Sequence, residues 1–540
     1  MYNNFRMLGG NQIKWTVFRH NGPMFPDPYV PHNIPIIVNG NKINLEPKSE
    51  EVASLFAKYI KSQYMENNTF KKNFFNDFKK HLPKTVNVNS IDEIDFSQIY
   101  NHLEKEREQR LNMSKEEKER IKKVREKLEE PYKYCIIDGA KQTVGNYKIE
   151  PPGIFMGRGT HPKMGKLKSR IMPEDVTINI DKESKIPDSG ISGHKWGKVI
   201  HDRSVIWLAS WKDSITGKSK YIFTSVDSFF KSKSDEKKFD LAKKLKKKIA
   251  SIRRKYEEEL ESDKENMRQI STALYIIDKF ALRVGGKKDK KTQADTVGVT
   301  SLRVEHISFP KENIIKLDFL GKDSIRFCKK LKVISPVYQN LIAMSQNKNK
   351  KDKIFHLINS SILNNYLKQF MDGLTAKVWR TYNASNIFQK ELDKIKKEEI
   401  DKLDENIKIN YLLSLFNQAN TTVALLCNHQ KAVSKNFDSQ IQKLNDRIKD
   451  LQKKKRKYQE KKKNKMVKKT ALKIRLLKTK RNTKEKMKNV SLTTSKNNYI
   501  DPRIIVGFMK KFNIPFDKIF NEKLIKRFEW AISVDKDYKF

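Results

Sequence analysis

Apolar residues recur at three- and four-residue spacing through "EEVASLFAKYIKSQYMENNTFKKNFFNDFKKHL", which predicts helices there. Ahead of it, "GPMFPDPYVPHNIP" carries five prolines in fourteen residues and predicts an extended, loop-like connection. In "SKEEKERIKKVREKLEEP" Ser114 stands as N-cap with Glu117 three residues on, a capping box. Ile121, Val124 and Leu128 follow at helical spacing, and Pro131 stops the run. The pattern predicts a charged helix that projects from, or joins, two lobes.

The period changes between about 132 and 230. "VTINI", "RSVIWLASW" and "KYIFTSV" are β-branched and aromatic runs divided by turn residues, so they read as strands. Val205, Trp207 and Trp211 share one face of such a strand and are expected in a core. From 236 helical spacing returns in "KKFDLAKKLKKKIASIRRKYEEEL". One more strand-like stretch, "IIKLDFLG" at 314–321, interrupts helices that run to about 434. Between 441 and 490 stand 22 lysines and arginines against 4 acidic residues, an excess of 18 positive charges. Ile441, Leu444, Ile448, Leu451 and Tyr458 keep a heptad seam, and Val467, Ile474 and Leu477 can supply a returning arm. The expected structure is an antiparallel helical hairpin turning near "KKKNK"; the plainer alternative is a solvated basic tail.

Charge changes the picture. The chain has 540 residues, enough for two or more domains, and carries 113 Lys+Arg against 64 Asp+Glu, a net charge of +49. So large an excess predicts a polyanionic partner, either nucleic acid or an anionic membrane surface. No stretch approaches the 18 consecutive apolar residues of a membrane span, and "MYNNFRMLGG" lacks the apolar run of a signal peptide, so nucleic acid is favoured and no membrane is expected. Hydrophobic residues at 37% and aromatic ones at 10% argue against a wholly disordered chain. Cys135, Cys328 and Cys427 lie far apart, which suits a reducing compartment and excludes a disulfide framework. No CxxC pair, HExxH or close acidic cluster supports a metal centre, and no phosphate-binding G-x-x-x-x-G-K-[ST] loop suggests ATP. The chain is expected to act on nucleic acid without a metal or other cofactor.

Just after the basic segment comes "SKNNYIDPRI", with Tyr499 inside it. Most tyrosines only pack, and this chain has 18 of them. A tyrosine delivered into a site by such a hairpin can instead attack a phosphodiester. That exchange is nearly isoenergetic, so it needs no ATP and runs in both directions. A phenol titrates near pH ~10 and needs nearby cations to lower its proton affinity. Arg, Lys or His donors must neutralise the pentacoordinate phosphorus, and one of them must protonate the leaving alkoxide.

Cations occur in fitting contexts. "KFALRVGG" (279–286), "DFLGKDSIRF" (318–327), "LTAKVWRTYNAS" (374–385), "LLCNHQK" (425–431) and "SKNNYIDPRI" resemble the signature segments of eukaryotic DNA topoisomerase I, the type IB family. The resemblance extends through "IEPPGIFMGRGTHPKMGKLKSRIMPEDV", "QADTVGVTSLRVEHI" and "FEWAI", and so covers almost the whole chain. It implies that Tyr499 is the nucleophile, that Arg283, Arg380 and His429 hold the non-bridging phosphate oxygens, and that Lys322 protonates the leaving 5′ oxygen. Taken singly, each could be a surface arginine, a turn lysine, a salt-bridged helix residue or a core histidine; together and in context they point to one site. A tyrosine site-specific recombinase shares this equipment, but typically with a His-x-x-Arg box, and here Lys377 precedes Arg380. A non-enzymatic basic chromatin or RNA-binding protein accounts for the charge but not for five motifs.

The same resemblance implies an α+β multidomain fold, a bilobed clamp on double-stranded DNA. Its parts would be an α/β cap (1–226), a mainly helical catalytic domain of the tyrosine recombinase/type IB topoisomerase type (227–434), a basic coiled-coil linker (435–488) and a small helical C-terminal domain (489–540). Lys220, Tyr221, Thr296, Lys377 and Thr381 match DNA-contacting positions. Arg158, Asp323 and Asn498 match the pocket for camptothecin-type inhibitors at the nicked complex. A nuclear monomer is expected. Gly286 stands where relatives usually carry Asn, and Asn497 where Leu is common.

Overall fold

The computed structural model describes residues 13–286, 288–289, 292–401, 405–431, 433 and 436–540. The N-terminal stretch judged for a signal peptide and the boundary expected between 434 and 435 lie outside the described residues. The fold is mixed α+β and about half helical. The chain divides into two compact units, Met1–Lys231 with Lys288–Asp295, and Ser232–Lys287 with Thr296–Phe540.

The first unit holds two apolar cores. One is built by the helices Pro47–Ala57 and Asn68–Phe78, whose phenylalanines interleave: Phe56 stacks on Phe74 at 4.2 Å between centroids, with Phe70, Phe78 and Phe96 around them. The proline-rich connection forms no helix, as its fixed backbone angles and missing N–H groups dictate. The helix Lys115–Glu129 starts on the expected capping box, with Ser114 Oγ accepting from the Glu117 N–H at 3.0 Å. Its apolar residues cover no core: Ile121, Val124 and Leu128 are 51%, 57% and 61% exposed.

The second core lies under a four-stranded sheet ordered Lys198–Ile200, Thr177–Asn179, Trp207–Lys212, Ser219–Phe223. Here the expected face is corrected. A register shift between Trp207 and Ala209 inserts one residue, so Leu208, Ala209 and Trp211 are buried while Val205 and Trp207 stay half-exposed. Trp207 instead packs beside Tyr221, with centroids 5.5 Å apart.

The second unit is mainly helical around one large core. The amphipathic helix Phe229–Glu258 turns Phe239, Leu245, Ile252 and Tyr256 inward, and the helices Glu265–Phe280, Ala376–Asp393 and Glu405–Leu426 complete the core. A buried carboxylate ties three of these together. Asp278 accepts from Arg253 Nε at 2.7 Å, Tyr256 OH at 2.8 Å and Trp379 Nε1 at 2.7 Å. Burial opposes its charge, but these donors outweigh burial and hold the carboxyl below its usual value.

The sheet of this unit has three antiparallel strands, Ile307–Lys311, Ile314–Leu320 and Arg326–Lys332, of which the sequence pattern predicts only the middle one. The basic segment forms the helices Phe437–Glu460 and Asn464–Lys486, joined at 461–463. They run antiparallel, since Arg481 late in the second donates to Asn445 early in the first at 3.2 Å. Ile448 and Ile474 are buried in their seam. Among the described residues no helix is long and apolar enough to cross a membrane.

Candidate active site

Tyr499 follows the last turn of the short helix Leu492–Asn498. Its N–H donates to Ser495 O at 2.9 Å, and its carbonyl accepts from Ser385 Oγ at 3.1 Å. The same Oγ accepts from the Asp501 N–H at 3.0 Å, so one hydroxyl pins the backbone that leaves the tyrosine, while Ser495 O holds the backbone that enters it. The phenol ring is 7% exposed and lies near-parallel to the His429 imidazole, 30° apart with centroids at 5.1 Å. Its hydroxyl accepts from Arg283 Nη1 at 3.1 Å, and Arg380 Cζ stands 5.1 Å from the ring centroid.

Arg283 sits in the loop that leaves the helix Glu265–Phe280, whose end is marked by Ala281 in the left-handed region at φ 49°. The loop is held from below. Val299 N–H donates to Arg283 O at 2.9 Å and Thr300 N–H to Val284 O at 2.8 Å. Gly285 and Gly298 make this possible by meeting backbone to backbone, where a side chain on either would clash.

Arg380 projects from the helix Ala376–Asp393, which starts on Thr375 as N-cap. Its Nη1 donates to Ala281 O at 2.7 Å, and its Nη2 donates to Cys427 O and lies 3.3 Å from His429 Nε2. Its Nε–H is buried with no partner among the described residues. A phosphate oxygen is the kind of acceptor that such an orphan lacks. His429 is buried, with Nδ1 2.8 Å from Ser495 Oγ. Burial first, then the charges of Arg380 and Arg283, push its pKa down to about 3, so the ring is neutral near pH 7.

Arg283, Arg380 and His429 line one cavity of about 120 Å³, together with Lys322. Lys322 comes from the tight turn joining the strands Ile314–Leu320 and Arg326–Lys332. The turn is sharp because Asp323 and Ser324 both take left-handed conformations, φ 67° and 58°. The lysine side chain is exposed at the cavity.

The remaining sequence-derived positions are more scattered. Asp323 lines the same cavity, and Asn498 is exposed beside Tyr499 with its amide on Thr494 O at 3.2 Å. Lys377 is exposed, whereas Thr296 is buried and Thr381 is fully buried with its hydroxyl on Lys377 O at 3.2 Å. Arg158, Lys220 and Tyr221 belong to the first unit. Arg158 and Tyr221 are exposed. Lys220 bonds Glu150, and Asp213 at 3.0 Å; burial opposes its charge, but the two carboxylates outweigh it and raise its pKa. Among the described residues no group of three or more His, Cys, Asp or Glu is placed to hold a metal ion.

Sequence reasoning passed over Ser385, Ser495, Gly298 and Asp278. Ser495 could have been found, since it stands one helical turn before Tyr499 in the same motif. The others act through contacts between distant segments and leave no periodic mark.

Three family models match the chain: "Eukaryotic DNA topoisomerase I, DNA binding fragment" over residues 13–224, "Eukaryotic DNA topoisomerase I, catalytic core" over 227–491, and "C-terminal topoisomerase domain" over 471–540. The chain is 42% identical to human DNA topoisomerase 1 over 560 aligned positions, covering 98% of this chain and 72% of the relative. DNA topoisomerase 1 of Caenorhabditis elegans is 41% identical, with 98% and 68% covered, and DNA topoisomerase 1 beta of Arabidopsis thaliana is 40% identical, with 98% and 60% covered. These matches favour a topoisomerase over a recombinase. With its DNA-binding, catalytic and C-terminal segments all matched in order, the chain belongs to the eukaryotic DNA topoisomerase I family.

Proposed function

We propose that Tyr499 is the residue through which this enzyme opens one DNA strand. The enzyme is a type IB DNA topoisomerase, an isomerase that relaxes positive and negative supercoils through a transient 3′-phosphotyrosine nick, rotation and religation. In the proposed step the phenol gives up its proton to solvent and its oxygen bonds to phosphorus while the bond from phosphorus to O5′ breaks. The electron pair goes to O5′, which takes a proton from Lys322. Arg283 and Arg380 neutralise the non-bridging oxygens, and His429 donates to one of them. Religation is the same path reversed.

The observation that carries this reading is the bond from Arg283 Nη1 to the Tyr499 hydroxyl at 3.1 Å, beside a second guanidinium and a neutral imidazole. A guanidinium donating to that hydroxyl places the nucleophilic oxygen beside the groups that would receive a phosphate. The test is a plasmid relaxation assay in EDTA without ATP. The native enzyme should relax supercoils of both signs, and Tyr499→Phe should relax neither while still binding duplex DNA. Relaxation by Tyr499→Phe would place the nucleophile elsewhere.

The finer architecture belongs to the same proposal. A cap over 1–226 and a catalytic domain over 227–434 close as a clamp around the duplex, the linker 435–488 carries the basic hairpin, and 489–540 delivers the tyrosine. Lys220, Tyr221, Thr296, Lys377 and Thr381 contact DNA, and Arg158, Asp323 and Asn498 line the site for camptothecin-type inhibitors. The enzyme acts as a monomer in the nucleus. Supporting the DNA-binding part are the net charge of +49 and the family's DNA-binding segment.

A further inference from the structure

We infer that Ser495 is a positioning residue that lets His429 exchange tautomers when a phosphodiester enters the site. This rests on the reading of His429 as a donor to the phosphate. Among the described residues the imidazole nitrogens make two polar contacts, Nδ1 to Ser495 Oγ at 2.8 Å and Nε2 to Arg380 Nη2 at 3.3 Å. A guanidinium only donates, so Nε2 accepts from Arg380 and the single proton of the neutral ring sits on Nδ1. Nδ1–H then donates to Ser495 Oγ. This is the resting arrangement.

A phosphate oxygen has the opposite requirement, because it only accepts. To bond it, Nε2 must carry the proton, which leaves Nδ1 bare and in need of a donor. A serine hydroxyl meets both needs by rotating its hydrogen: it accepts from Nδ1–H before DNA arrives and donates to bare Nδ1 afterwards. Ser495 is fully buried, so water does not substitute for it. Its own backbone is fixed as well, since Ser495 O accepts from the N–H groups of both Tyr499 and Ile500, at 2.9 and 3.0 Å. The hydroxyl that orients the imidazole and the turn that carries the phenol therefore belong to one residue. Arg380 is released from Nε2 in the same exchange, freeing a donor for the phosphate.

The experiment is a double-mutant cycle on single-turnover cleavage of a suicide duplex oligonucleotide, with the full chain. Ser495→Ala should slow cleavage about tenfold or more, bounded by the ~10²–10³-fold expected for losing one transition-state donor. In a His429→Gln background, where a side-chain amide donates without any tautomer to choose, Ser495→Ala should have little further effect. An equal slowing in both backgrounds, or none in the native one, overturns the inference. If His429→Ala itself leaves cleavage unchanged, the reading of His429 fails first, and that result is distinct from the other two. Nitrogen-15 spectra of the histidines report the tautomer directly in the Tyr499→Phe protein. The His429 proton should move from Nδ1 to Nε2 when the duplex is added, and should not do so fully with Ser495→Ala. An unchanged tautomer on DNA binding would equally overturn the exchange.

Discussion

Gly298 meets Gly285 so closely that a Cβ on Gly298 would lie 2.5 Å from Gly285 Cα and 2.7 Å from Arg283 O. Neither neighbour is the flexible end of a side chain, so the Arg283 loop must move to admit a methyl group. Gly298→Ala should therefore displace the guanidinium that faces Tyr499. A shift of about 1 Å in a positioned group costs on the order of 10²-fold in rate. Cleavage should fall by about that factor while duplex affinity, measured by filter binding, changes little. Normal cleavage by Gly298→Ala would mean that Arg283 reaches its place without this contact.

Lys322 stands on a turn that takes no part in the core. Lys322→Ala should slow strand cleavage by two or more orders of magnitude, as loss of a general acid does. A substrate whose 5′ leaving atom is a better leaving group should recover most of that rate, because it needs no proton. Failure of such a substrate to rescue the variant would assign Lys322 to binding rather than proton transfer.

His429 has a defined signature in stability. Its folded pKa of about 3 lies below the ordinary 6.5, so the unfolded chain binds more protons between those values. Stability from this group is complete above about pH 6.5 and is lost as pH falls through that window. His20 adds to the same slope, since burial pushes its pKa down to about 4. The thermal midpoint of the native protein should drop between pH 7 and 5, and His429→Gln should make that drop shallower. An identical pH slope in the variant would show that His429 does not contribute to it.

The basic hairpin makes its main contacts within itself, and the chain just beyond it docks independently. Lys431 N–H donates to Asn489 O at 2.9 Å, and Ser491 N–H to His429 O at 2.8 Å. Removing about 441–488 and supplying 489–540 as a separate chain should therefore restore relaxation at sufficient concentration, with more turns released per nick. Charge reversal along the hairpin, keeping Ile448 and Ile474, should weaken duplex binding mainly at low salt. No recovery at any fragment concentration would make the hairpin part of the catalytic fold.

How much of this was legible depended on whether the signal is local. The capping box at Ser114 and the heptad residue Ile448 are written in neighbouring positions, and both elements form. The strand Arg326–Lys332 escaped notice because Lys329 stands between Phe327 and Leu331 on its inward face, next to Lys330, and so breaks the apolar alternation. Trp207 misleads for another reason: a bulge changes the phase of a strand without changing its composition. At the candidate site, the motifs identify the side chains with functional groups. They do not reveal Gly298 beneath Arg283 or Ser385 behind Tyr499, because those relationships exist only after distant segments have met.

Ser495 O on the Tyr499 N–H, with the hydroxyl of Ser385 on the Tyr499 carbonyl and the Asp501 N–H, leaves the phenol only its own side-chain torsions to move by. A strand end joined to that oxygen would hang on a very short leash. It could not wander to another duplex, and its old neighbour would return to the same spot. The other end would be free to swivel, so each opening would change the winding of the helix by whole numbers alone. How large that number became would be decided by the torsion stored in the DNA and the drag against it, not by any work drawn from the protein.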